Sequence, residues 1–139
     1  YMEKKRAGNI VSREQHGCRE LLDTSHFHCD LFDNYIPGLC SGLSLNRQDL
    51  GTEVSADRHP ILTELFYRGI KGLYDMARTQ YGYETQKCFT TKCDLCTDIR
   101  LFLVIDCGVD SPELQPEGFY RQLASERSQH NAGSGEETE

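Results

Sequence analysis

The seven cysteines of this chain are unevenly distributed along the sequence, and their spacing limits the folds that it can adopt. Most of them fall into two short segments: Cys18, Cys29 and Cys40, then Cys88, Cys93 and Cys96. No secretory signal peptide is recognisable, and disulfides are rare in a reducing compartment such as the cytoplasm. Clustered cysteines there indicate metal or redox chemistry more often than a disulfide framework. We therefore expect a cytoplasmic protein with a site built from cysteines.

Charge and apolar content argue against two classes of partner. The net charge is −7 at pH 7, whereas domains that bind nucleic acid usually carry a basic face. No apolar stretch approaches the length needed to span a bilayer. We therefore expect neither a nucleic-acid partner nor a membrane partner. The apolar fraction of 37 % is low for a compact domain, which predicts that part of the chain forms loops, a tail or a surface for a partner.

Residues 26–36 alternate between apolar and polar side chains, which predicts a β-hairpin. Phe27, Cys29 and Leu31 share one face of the first strand, so we expect Cys29 to be a small buried hydrophobe. Asp33 begins a turn pair with the asparagine that follows it, because both side chains tolerate left-handed backbone. Cys40 then lies just past the second strand.

Helical periodicity predicts helices over residues 60–81 and 93–105. Gly69 and Gly72 can bend the first of these or split it into two, and Gly82 suits its C-terminal end. Residues 45–57 are expected to form a polar loop. The predicted fold class is therefore α+β: a small domain with a β-hairpin, two or three helices and a cysteine-rich metal or cluster site.

Composition divides the chain into three parts. Residues 1–16 are polar and charged without a sustained period, and they are expected to form a loose lead-in. Residues 17–124 hold the cysteines and the periodic segments, and they are expected to form the folded domain. Residues 125–139 have almost no apolar side chain, which is typical of a disordered tail.

Four of the cysteines are candidates for one ligand set. Cys93 and Cys96 form a C-x-x-C motif, whose spacing lets two thiolates face one centre from a turn or a first helical turn. Cys18 and Cys40 flank the predicted hairpin, and a hairpin brings its two ends together. Four thiolates suit either a tetrahedral zinc ion or an iron–sulfur cluster.

Other residues compete for roles in this site. Cys88 is near enough to the C-x-x-C in sequence to replace Cys18 as a ligand, although it could equally be a surface thiol. His26 and His28 share a strand face and could reach a metal, although such a pair is more often structural. Cys107 follows an apolar run and is expected to be inert.

Three segments resemble a known family: HFHCDLFDNYIPGLCSGLS, KCDLCTDIRLFL and SPELQPEGFY. They resemble the C-terminal region of radical S-adenosylmethionine proteins, in the auxiliary-cluster extension called the SPASM or twitch domain. In that extension a cysteine precedes a β-hairpin and a second follows it, and then come a helix and a further cysteine pair. The resemblance covers residues 16–123 and implies that Cys18, Cys40, Cys93 and Cys96 bind a 4Fe–4S cluster.

The sequence departs from the family pattern in several ways. Asp33 stands where a turn glycine is expected, and the interval from the turn to Cys40 is longer than usual. The downstream cysteines are too few for a full SPASM set, so a twitch-like arrangement with one cluster is the better match. The motif C-x-x-x-C-x-x-C, which binds the cluster that cleaves S-adenosylmethionine, does not occur in this chain.

The resemblance thus implies an accessory module that is not catalytic alone. Its partner would be an N-terminal radical S-adenosylmethionine domain, and S-adenosylmethionine would bind only to that domain. The cluster would serve substrate positioning or electron transfer, and His28 and Lys92 could tune its potential. A zinc-stabilised structural or interaction module with the same ligands is the alternative, and a helical domain with unligated cysteines is a third interpretation.

Overall fold

The computed structural model consists of helices and two small antiparallel sheets, which confirms the α+β class. The described residues are 3–14, 16–18, 27–29, 34–37, 40, 42–46 and 56–137.

The N-terminal segment is ordered secondary structure, so the loose lead-in predicted for residues 1–16 is wrong where the chain is described. Strand β1 (Lys5–Arg6) leads directly into helix α1 (Ala7–Arg13). The reason is hydrophobic: Ala7, Ile10 and Val11 recur at helical spacing and are buried in the core. Three apolar residues among many charged ones were too weak a pattern to detect.

The hairpin predicted over residues 26–36 is confirmed. Strands β2 (Phe27–Cys29) and β3 (Asn34–Pro37) pair antiparallel, with Cys29 opposite Tyr35. A short third strand, β4 (Leu45–Asn46), pairs with β3 at the start of the segment predicted to be a polar loop. Cys29 is exposed and not buried as predicted, because strand alternation assigns a face but does not show that the face packs against the core.

The predicted helix over residues 60–81 is present as two helices. Helix α2 (Pro60–Arg68) ends at Gly69, and helix α3 (Ile70–Tyr81) follows it. Gly69 has φ 70° and ψ −151°, a backbone conformation that is essentially confined to glycine. The split therefore occurs at one of the two glycines where the sequence allowed it.

The cysteine pair begins a well-capped helix. Helix α4 (Lys92–Leu101) follows strand β5 (Cys88–Phe89), which pairs with β1, and continues into a π-helical turn (Phe102–Asp106). These bounds confirm the helix predicted over 93–105.

The C-terminal segment forms helix α5 (Glu117–Glu137). The disordered tail predicted from residue 125 is therefore wrong as far as Glu137. Tyr120 anchors the beginning of this helix in the core. Further along, Arg127 Nη1 donates to Asp98 Oδ1 at 2.7 Å, and Asp98 is itself buried. A buried ring and an ion pair hold the part of the helix from Tyr120 to Arg127 without the apolar stripe that the prediction required.

The core lies where helices α1 to α4 meet the π-helical turn and the start of α5. Leu73, Leu95, Ile99, Leu103 and Tyr120 have no exposed surface. Helix α4 carries the core residues Leu95 and Ile99 as well as the C-x-x-C pair. Its packing in the core therefore fixes the position of Cys93 and Cys96. No helix of the described residues is both long enough and apolar enough to cross a membrane.

Candidate metal centre

The predicted ligands are among the residues that line one cavity of about 420 Å³. Cys18, Cys40, Cys93 and Cys96 all line it, although they come from three separate parts of the chain. The seven cysteines are all described, and none of them is in a disulfide. The four candidate thiols therefore line the same cavity, but no three of the described His, Cys, Asp and Glu side chains form a group that could hold a metal ion.

The C-x-x-C pair is positioned by the N-terminus of α4. Thr91 is the N-cap, and its Oγ1 accepts from the backbone N–H of Asp94 at 3.2 Å. Asp94 Oδ2 accepts in return from the backbone N–H of Thr91 at 3.3 Å. This reciprocal capping box satisfies two backbone donors and fixes where the helix begins. Cys93 and Cys96 thus lie near the start of α4, and both line the cavity.

Cys18 is held against the junction between α2 and α3. Its backbone N–H donates to Leu65 O at 2.8 Å. A Cβ atom built on Gly69 would lie 2.1 Å from His16 O, a distance that no packed structure tolerates. The segment that carries Cys18 can approach this closely because position 69 has no side chain.

Cys40 is held by a turn that follows it. The backbone N–H of Leu43 donates to Cys40 O at 3.1 Å. Gly42 has φ 89°, and a Cβ atom there would meet Tyr120 Oη at 2.4 Å. Ser44 then anchors the chain, because its backbone N–H donates to Glu113 O at 2.9 Å and its hydroxyl donates to the carbonyl of Pro112 at 2.8 Å.

A buried arginine, Arg100, connects the helix that carries Cys96 with the loop that follows Cys40. Arg100 Nε donates to Cys96 Sγ at 3.4 Å, and Arg100 Nη1 donates to Tyr120 Oη at 2.7 Å. Tyr120 Oη donates onward to Gly42 O at 2.6 Å. The contacts run from α4 through α5 to the loop after Cys40.

Electrostatics at this arginine follow from its neighbours. Burial works to lower the pKa of Arg100, but Cys96 and Tyr120 favour its charged form and raise that pKa above the ordinary value. Burial raises the pKa of Tyr120, and the adjacent guanidinium opposes that rise. Both residues therefore keep their protons, and Arg100 remains a cation beside a thiol.

The rim of the cavity is polar and its walls are apolar. Glu14 Oε2 lies 3.9 Å from Lys92 Nζ and 3.8 Å from His16 Nδ1, and all three residues line the cavity. Apolar side chains make up much of the rest: Leu43, Leu65, Ile70 and Phe119. The apolar walls limit the access of water, which is one of the factors that set the potential of a metal centre.

The remaining candidates lie elsewhere. Cys88 is exposed on β5 and does not line this cavity, and Cys29 and Cys107 are exposed as well. His26 and the side chain of His28 lie outside the described residues. Of the two residues proposed to tune the site, Lys92 does line the cavity.

The sequence analysis missed Arg100, Tyr120 and the two glycines that allow close packing. One signal was present, because Arg100 follows Cys96 by four residues and so faces the same side of a helix. Tyr120 lies far away in sequence, in a segment that composition alone did not connect with the site.

The described His, Cys, Asp and Glu side chains include no group of three or more that could hold a metal ion. No protein family model matches this chain, and comparisons with curated proteins and with solved structures return no match.

Proposed function

We propose that this chain binds one 4Fe–4S cluster through Cys18, Cys40, Cys93 and Cys96. The observation that carries the proposal is that these four thiols line one cavity while the other three cysteines do not. Four thiolates are the usual ligand set of such a cluster. The sequence singled out the same four positions from their spacing and order.

The cavity suits a group larger than a single ion. Its volume is about 420 Å³, and zinc with bonds of about 2.3 Å needs its sulfurs only about 4 Å apart. In a 4Fe–4S cluster each thiolate binds a different iron, so the ligands surround a wider space. Apolar walls and a buried cation at Arg100 are features that stabilise and tune an anionic cluster.

The proposed role is that of an auxiliary module in a radical S-adenosylmethionine enzyme. The order of Cys18, the hairpin, Cys40 and the C-x-x-C pair supports this assignment. In such an enzyme the cluster would position substrate or transfer electrons, and cleavage of S-adenosylmethionine would belong to an N-terminal domain. Thiols remain reduced in the cytoplasm, which supports that compartment as the proposed location.

Anaerobic reconstitution of the full chain tests cluster binding. We expect about four iron and four sulfide per chain, with a broad visible absorbance band, as for a cluster with four cysteine ligands. Cys→Ala changes at each of the four positions should abolish loading. A colourless protein that holds stoichiometric zinc would overturn the proposal in favour of the structural alternative.

Three matched variants provide the control. Cys29→Ala, Cys88→Ala and Cys107→Ala each remove an exposed thiol outside the cavity, and they should load iron as the unchanged chain does. If Cys88→Ala empties the site while Cys18→Ala leaves it loaded, the ligand set is wrong at its first position.

Membership of the radical S-adenosylmethionine family has a test of its own. The coding sequence upstream of residue 1 should encode C-x-x-x-C-x-x-C in the same reading frame. A reading frame that lacks this motif would contradict the family assignment without affecting the test of cluster binding.

A further inference from the structure

Arg100 places a buried positive charge beside one of the proposed ligand sulfurs. It follows Cys96 by one helical turn on α4, and its Nε donates to Cys96 Sγ at 3.4 Å. Only 4 % of the residue is exposed. A charge held away from water acts on its neighbours through a low effective dielectric constant, so its influence on the site is stronger than that of a surface charge.

The guanidinium is fixed from several sides. Nη1 donates to Tyr120 Oη at 2.7 Å, and Nη2 donates to Thr97 Oγ1 at 3.2 Å. The guanidinium carbon lies 5.9 Å from the centre of the Tyr120 ring. Tyr120 has no exposed surface and is itself anchored to Gly42 O. Arg100 is therefore held in one orientation before any ligand binds.

We propose that Arg100 is a positioning residue that orients Cys96 and makes the bound cluster easier to reduce. This inference rests on the proposed function. Reduction by a low-potential one-electron donor adds one negative charge to the site and requires no proton. A fixed cation and a hydrogen bond to sulfur both stabilise the more negative state, which raises the reduction potential.

Lys92 also lines the cavity, but its charge is less effective. It lies at the rim, where Glu14 is 3.9 Å away and 20 % of its own side chain is exposed. A nearby carboxylate cancels much of its field at the site, and water screens the rest. Arg100 is therefore the cation that we expect to dominate the potential.

Redox titration of the reconstituted full chain with dithionite, followed by electron paramagnetic resonance, tests the inference. Arg100→Gln should still take up iron and sulfide, but its equilibrium constant for reduction should fall at least tenfold. That change corresponds to about 59 mV toward lower potential for a one-electron couple. Arg100→Lys keeps the charge and loses the Nε–H donor, so its potential should lie between those of Arg100→Gln and the unchanged chain.

A surface arginine supplies the matched control. Arg121 follows Tyr120 on α5, but 69 % of its side chain is exposed and it pairs with Glu117 at 2.8 Å. Arg121→Gln removes the same charge from a screened position and should leave the potential unchanged. An equal shift in Arg121→Gln and Arg100→Gln would show a nonspecific effect of net charge and overturn the inference.

A second measurement does not depend on how well Arg100→Gln folds. In the unchanged chain, arginine labelled with the heavy stable isotope of nitrogen should show magnetic coupling to the reduced cluster, and Arg100→Lys should abolish it. Absence of this coupling, or a potential in Arg100→Lys as low as in Arg100→Gln, would overturn the inference. If the unchanged chain takes up no cluster, both the proposed function and this inference are wrong. If Arg100→Gln takes up the cluster and its reduction potential is unchanged, only the inference is wrong.

Discussion

Gly69 decides how closely the Cys18 segment packs against the helices. Its φ of 70° lies in the left-handed region, and a Cβ atom there would meet the backbone carbonyl of His16. Backbone atoms cannot move aside as the end of a flexible side chain can. The residue therefore has two requirements that only glycine meets, one conformational and one steric.

Gly69→Ala should destabilise the fold and displace Cys18. We expect a loss of about 1–3 kcal/mol in the free energy of unfolding from backbone strain, with the steric clash adding to it. Iron loading should fall as well. Gly82→Ala is the matched control, because Gly82 also has a positive φ, 72°, but open space around its Cβ position. Urea unfolding and iron analysis of both variants would contradict the prediction if the two behave alike.

Cys107 should react slowly with alkylating reagents although it is exposed. Partial desolvation raises the pKa of the Cys107 thiol, and the adjacent Asp106 carboxylate raises that pKa further. Because the thiolate is the nucleophile, alkylation should require a higher pH than for an ordinary cysteine. Asp106→Asn should lower the pH at which the rate is half-maximal. Mass spectrometry at this site over a pH series would refute the prediction if Asp106→Asn changed nothing.

At the scale of an element, α2 depends on a carboxylate from a distant turn. Its own first turn has no acidic residue and its N-cap, His59, makes no capping bond. Glu113 fills that role, accepting from the backbone N–H of Ile61 at 3.0 Å and of Leu62 at 2.8 Å. The turn that holds the chain after Cys40 therefore also caps the helix against which Cys18 lies.

The stability that Glu113 contributes should depend on pH. Burial raises its pKa above the ordinary 4.5, although the two backbone donors partly oppose this. A raised folded-state pKa means that the bound proton stabilises the fold fully below pH 4.5, and that this contribution is lost as the pH rises through the raised pKa. Relative to Glu113→Gln, the unchanged chain should thus lose stability across that window. Urea unfolding at several pH values would contradict this if the unchanged chain gained stability instead.

The elements that sequence could predict are those with a strong local period. The hairpin, α2, α3 and α4 each have alternating or helical patterns and turn residues at their ends. Helices α1 and α5 were not predicted because tertiary contacts, and not a local sequence pattern, stabilise them. Ile10 and Val11 in α1 meet a core that the local sequence does not reveal, and α5 is held by Tyr120 and by the pairing of Arg127 with Asp98.

At the scale of the molecule, the candidate site combines local and long-range determinants. The C-x-x-C spacing predicted the Cys93 and Cys96 part of the site, since the start of a capped helix places both thiols on one side of that helix. Cys18 and Cys40 were predicted to lie near each other because they flank a hairpin, and both of them line the cavity. The link from Arg100 through Tyr120 to Gly42 could not be predicted, because it joins residues far apart in sequence through buried contacts.

The separation of core and site in this molecule leads to a prediction about cluster removal. Leu73, Leu95 and Ile99 are fully buried core residues of α3 and α4 that do not line the cavity, whereas Ile70, at the start of α3, does. The segments of Cys18 and Cys40 are instead held by loop and turn hydrogen bonds, such as those from Cys18 N–H to Leu65 O and from Leu43 N–H to Cys40 O. Protection from hydrogen exchange should therefore respond differently in the two regions when the proposed cluster is removed.

Chelation of iron under reducing conditions should loosen the site and leave the core intact. We expect amides of residues 42–44 to lose protection on the order of tenfold, because a ligand that binds only the ordered site stabilises it by mass action. Amides of α3 and of the second half of α4 should change little. Hydrogen exchange followed by mass spectrometry on the loaded and chelated chain measures both, and Cys88→Ala serves as a control that should respond as the unchanged chain does. Loss of protection throughout α3 would mean that the cluster is needed for the whole fold, and unchanged protection at residues 42–44 would mean that Cys40 is not a ligand.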